Sequence, residues 1–87
     1  MRRRVVIHGS VQGVFFRDSL RRLAEQHGVS GWARNTSEGT VEAVFEGESE
    51  AVERLVSFAN TGPPDSRVDA VDVHEDEPEG LSGFAIR

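Results

Sequence analysis

In the stretch Gly9–Leu20, GSVQGVFFRDSL, a loop carrying Gly9 and Gly13 runs into an apolar-periodic segment, and Arg17 stands at the junction. Glycines permit backbone conformations that other residues resist. The N–H groups of Ser10, Val11, Gln12, Gly13, Val14, Phe15 and Phe16 can then turn inward as an anion-binding nest. A helix beginning behind them adds unsatisfied N–H groups and the positive end of its dipole. Arg17 supplies a permanent cation whose planar fork of donors suits two phosphate oxygens at once. The pattern is no Walker loop, because no Gly-Lys-Ser/Thr is present, and it is no dinucleotide fingerprint. From spacing alone, a phosphate site and an ordinary strand-to-helix turn both remain open.

The elements that must hold this loop are legible from periodicity. RVVIHG, Arg4–Gly9, is a β-branched run that reads as a strand. Phe16, Leu20, Leu23 and Ala24 make one face of a helix that Gly28 stops. VSGWARN and GTVEAVFEG read as two strands, the second alternating, with NTSEG between them as a hairpin turn. A second helix is expected from an N-cap at Ser49, with Val52, Leu55, Val56 and Ala59 buried and Gly62-Pro63-Pro64 ending it. RVDAVDVHE is a further alternating stretch whose Val68-to-Val71 spacing breaks the period of two, so a bulge is expected. FAIR is expected to add a short terminal strand.

The order β-α-β-β-α-β predicts an α+β, ferredoxin-like sandwich: one antiparallel sheet with two helices on one face. The first two strands then run parallel through a crossover helix. Their C-terminal ends share one edge of the sheet, so Asn35 faces the loop that ends at Arg17. Arg34, next along the strand, points to the opposite face.

Totals bound the class. The 87 residues make one small domain, 1–87, whose core is large enough for marginal stability. A formal charge of −5 argues against broad nucleic-acid binding. No apolar run approaches a membrane span, and VVI behind the basic MRRR is too short for a targeting core. No cysteine is present, which removes disulfides and thiolate chemistry and suits a reducing, cytoplasmic setting. His8, His27 and His74 show no metal-ligand spacing and read as structural or solvent-facing. Trp32 and Phe16 read as core residues, Gln12 as a hydrogen-bonding element of the turn, Thr36 and Ser37 as turn formers. Arg2–Arg4 reads as a solvated strand start and Glu75–Glu79 as a solubilising loop.

At these residues a resemblance emerges. IHGSVQGVFFR, Ile7–Arg17, resembles the first signature of the acylphosphatase family, and GWARNTSEGTVEAVFEG, Gly31–Gly47, resembles the second. GPP with the following RV, and the closing FAIR, are similar to its weaker landmarks. The resemblance implies hydrolysis of the carboxyl–phosphate bond of small-molecule acylphosphates, without metal or cofactor. It further implies that Arg17, with the loop amides, binds the phosphoryl group and that Asn35 holds the attacking water. A monomer with no nucleic-acid or membrane partner is expected. The alternative on the same fold is a non-catalytic module that binds phosphate, protein or RNA.

Overall fold

A computed structural model describes all 87 residues. β1 (Arg2–Ser10) leads through the loop into α1 (Phe16–His27), followed by β2 (Ser30–Asn35), β3 (Val41–Glu46), α2 (Ser49–Thr61), β4 (Arg67–Asp76) and β5 (Phe84–Ile86). The sheet order is β4-β1-β3-β2-β5. β3 pairs antiparallel with both β1 and β2, so β1 and β2 run the same way and end at one edge.

Alternation sorts the side chains. Val5 and Ile7 of β1, Ala33 of β2 and Val41, Ala43 and Phe45 of β3 are fully buried under the helices. α1 adds Phe16, Leu20 and Ala24 to the same core, and α2 adds Val52, Leu55 and Ala59. Phe16 meets Phe58 of α2 edge-to-face, with centroids 6.2 Å apart, which locks the first turn of α1 against the second helix. Since Phe16 directly precedes Arg17, the core fixes where the arginine begins.

The β4 bulge is present: His8 lies opposite Ala70 but Gly9 lies opposite Val68, leaving Asp69 as the extra residue. Gly9 is required there. With φ at 133°, any Cβ would collide with the Arg67 carbonyl oxygen.

Several expectations need correction. The sheet is mixed rather than antiparallel, because β5 pairs parallel to β2. The chain leaves β4 at one edge, crosses the end of the sheet and reverses, which makes parallel entry beside β2 the geometric outcome. Ser49 is not the N-cap of α2. The first intrahelical bond runs from the Val52 N–H to the Glu48 carbonyl, so Glu48, in extended conformation, is the boundary residue. Trp32 is not in the core. It shares a face of β2 with Arg34, opposite Gly31 and Ala33, and its ring lies under the Arg87 guanidinium at 4.6 Å. Arg2 is not solvated either: it is 8% exposed and ion-paired to Glu46 at 2.6 Å. The acidic run is no free loop, since Glu75 and Asp76 end β4 and pair with Arg3 and Arg2.

Glu46 organises the crossing segment. Its carboxylate accepts hydrogen bonds from the N–H groups of Glu79, Gly80 and Leu81 as well as from Arg2. Burial pushes its pKa up, but the bonds from the Glu79 N–H, Arg2 and the Leu81 N–H outweigh that and hold it at about 2. This clamp fixes the start of the segment that becomes β5.

Candidate active site

The loop Val11–Phe15 joins the end of β1 to α1. Gly13 (φ 75°) and Phe15 (φ 62°) both adopt the left-handed conformation, and Phe15 is the only non-glycine residue with positive φ. Such turns re-aim successive peptide planes, which is how a chain makes an anion nest. No main-chain N–H from Val11 to Asp18 donates to a main-chain or side-chain acceptor of the protein. These eight amides, the last three of them the open donors of the first turn of α1, are available to an external acceptor.

The loop is tied down from one side. Gln12 Nε2 donates to the carbonyl oxygens of Thr36 and Thr40, both at 2.9 Å. Those two residues flank the β2–β3 turn and bond to each other, main chain and hydroxyl alike. Gln12 therefore fastens the loop to the hairpin directly after Asn35. The hydrogen bond expected inside the loop instead crosses to a neighbouring turn, a partner that β-pairing alone supplies.

Arg17 and Asn35 line one cavity of about 240 Å³, with Val11, Gly13, Phe15, Phe16, Asp18 and Ile86. Asn35 projects from β2 on the helix side, as Ala33 does, and its Oδ1 is buried with no hydrogen-bond partner. No Asp or Glu side chain pairs with Arg17; Nη1 donates to the main-chain oxygen of Arg87 at 3.2 Å. The nearby Asp18 carboxylate is occupied by Arg21 at 2.6 Å and Arg22 at 3.0 Å along α1. Its negative charge is thus compensated, and the cavity keeps the net field of Arg17.

Not every candidate lines this cavity. Ser10 belongs to β1 in register with Arg67, and Val14 packs against the core. Arg34 lies across the sheet, 2.6 Å from Glu42. His8 has a partner that the sequence did not reveal, Asp72 at 2.9 Å on the adjacent strand, and both stand on the open face. Ile86, Arg87 and Asp18 were missed. Asp18 had a local signal, its adjacency to Arg17; Ile86 and Arg87 reach the cavity only because β5 docks beside β2. No three His, Asp or Glu side chains gather in a way that could hold a metal ion.

The fold and this cavity define a class: an α+β sandwich that presents an arginine, a run of free amides and a buried amide oxygen to one small anion-sized space. The acylphosphatase family model matches residues 3–86. The protein named acylphosphatase in Rubrobacter xylanophilus is 55% identical over 85 residues, covering 97% of this chain and 77% of its own length. That of Natronomonas pharaonis is 48% identical over 87 residues, covering 100% and 95%. The solved acylphosphatase of Coxiella burnetii superposes with a TM-score of 0.94 at 40% identity, over 99% of this chain and 90% of that one. The chain belongs to the acylphosphatase family, enzymes that hydrolyse acylphosphates.

Proposed function

We propose that Arg17 and Asn35 are the catalytic residues of a metal-independent acylphosphate hydrolysis in this chain. The observation that carries the reading is their meeting: a cation that no Asp or Glu side chain neutralises and a buried amide oxygen that receives no hydrogen bond from the protein line one cavity beside eight free main-chain amides. The amides of the loop from Val11 to Phe16 and the Arg17 fork receive the phosphoryl oxygens; Ser10, paired within the sheet, is not among them. Asn35 Oδ1 accepts a hydrogen bond from a water molecule and holds it against phosphorus.

The chemistry asks little more. Water oxygen bonds to phosphorus as the bond from phosphorus to the bridging acyl oxygen breaks. The acyl group leaves as a carboxylate, whose acid has a pKa of about 4, so no general acid is needed. The transition state is loose, with charge spread over the transferred oxygens, and fixed donors stabilise it. An amide is a poor base, so the water's proton passes to a phosphoryl oxygen rather than to Asn35. The products are a carboxylate and inorganic phosphate.

The reading extends to a single catalytic domain over 1–87, acting as a cytoplasmic monomer without a nucleic-acid partner. The cysteine-free composition suits a reducing compartment. The open-face arginines Arg4 and Arg34 are committed to Glu42 and Arg2 to Glu46, which leaves no basic stripe for RNA. The test is turnover of acetyl and benzoyl phosphate by the purified chain, with and without a chelator, across mildly acidic to neutral pH. Activity that persists with chelator and is flat with pH supports the reading; activity lost to chelator, or steeply dependent on one histidine, overturns it.

A further inference from the structure

Only three large apolar side chains are exposed: Phe15 at 80%, Val73 at 45% and Ile86 at 37%. Val73 sits on the edge strand β4. The other two come from opposite ends of the chain and line the same cavity as Arg17 and Asn35. The buried lining residues Val11 and Phe16 form the floor of that cavity, so the exposed pair forms its rim.

Phe15 is placed there against local preference. A left-handed backbone costs a non-glycine residue about 1–2 kcal/mol. Nothing in the core offsets this, because the ring is solvent-exposed rather than packed. Were the turn alone the requirement, glycine would meet it more cheaply, as at Gly13. The feature to be explained is therefore the ring itself, exposed at the mouth of the cavity.

We infer that Phe15 and Ile86 form an apolar lip that receives the acyl group of the substrate and select for acylphosphates with an aryl or branched-alkyl acyl part. The inference rests on the proposed function, since it needs the phosphoryl group seated on the loop amides and Arg17. From that seat the occupant of the lip follows by covalent geometry. A single bridging oxygen joins phosphorus to the acyl carbon, and the leaving oxygen lies in line with the attacking water. With water held inside at Asn35, the acyl part is directed outward across the rim. An aryl group there covers apolar surface that is otherwise wet, whereas a methyl group covers little. The lip carries no charged group, so a charged acyl part gains nothing from it.

The test is the ratio of kcat/KM for benzoyl phosphate to that for acetyl phosphate in the wild type, Phe15→Gly and Ile86→Thr. Glycine keeps the positive φ and removes the ring; Ile86→Thr is an independent change in a different element. Competitive inhibition by inorganic phosphate reports in each variant whether the cradle is intact. The expected wild-type ratio favours benzoyl phosphate by about tenfold or more, falling about tenfold in Phe15→Gly and severalfold in Ile86→Thr, while phosphate inhibition persists. A ratio that stays within about twofold of wild type in both variants, with phosphate still inhibiting, overturns the lip alone. A wild type that turns over neither substrate overturns the proposed function, and the lip falls with it.

Discussion

Arg17 Nη1 donates to the main-chain oxygen of Arg87 at 3.2 Å, while the Arg87 guanidinium lies 4.6 Å above the Trp32 ring. The Arg87 N–H in turn bonds to the Ala33 carbonyl at 2.9 Å. Arg17 is therefore aimed by the tail of the sheet, and that tail is clasped from the far face by Trp32. Arg87→Ala and Trp32→Leu should each lower kcat/KM severalfold through looser phosphate binding. The double variant should be scarcely worse than either, because both remove one stacking contact worth about 0.5–1 kcal/mol. Additive losses in a double-mutant cycle would show that the two side chains act separately.

Arg17→Ala should cost about 10³-fold or more in kcat/KM and abolish competitive inhibition by phosphate, as expected for removal of a charge-stabilising donor. Arg17→Lys should recover only part of this, since a point charge cannot replace the two-pronged donor. Steady-state kinetics with phosphate as inhibitor checks both.

Asn35→Ala should behave differently. Turnover should fall about 10²-fold or more while phosphate still inhibits, because the residue is assigned to water and not to the phosphoryl group. Its Oδ1 is buried and receives no hydrogen bond from the protein, so removing the amide breaks no bond within the fold. Thermal unfolding should therefore give a Tm no lower than that of wild type. A marked drop in Tm would mean that Asn35 serves the fold.

Gln12→Ala removes both bonds that hold the loop to the β2–β3 turn. The expected loss is about 1–2 kcal/mol of stability, with roughly a tenfold fall in kcat/KM as the amides lose their alignment. Chemical denaturation and kinetics on the same preparation separate the two effects.

Glu46 predicts an acid limb of stability. Its pKa is lowered from the ordinary 4.5 to about 2 in the folded chain, so the folded state favours the charged form. The contribution is fully present above pH 4.5 and is lost as pH falls toward 2. Glu46→Gln should be less stable at neutral pH and should lack most of this slope. Denaturation midpoints measured between neutral pH and pH 2 check it; an unchanged slope would place the acid sensitivity elsewhere.

Much of the molecule is legible in its residue order. Period-two and period-3.6 runs of Val, Leu, Ala and Phe mark the strands and both helices, and the Val68–Val71 irregularity marks the bulge, because burial of one face imposes those spacings locally. The loop glycines and Arg17 announce an anion site because φ freedom and a permanent cation are properties of single residues. Asn35 follows once strand direction is deduced. Trp32 and Arg2 depart from the expectation for a common reason: whether a face is open or covered depends on the segment that later crosses it. Trp32 is covered by Arg87, and the Arg2–Glu46 pair is enclosed by Glu79–Leu81. Likewise the aim of Arg17, the anchorage of Gln12 and the rim at Ile86 all depend on contacts between residues far apart in sequence. Residue type and spacing determined which groups could do chemistry. Tertiary structure decided which of them meet, because only the assembled sheet brings the ends of β1, β2 and β5 to one end.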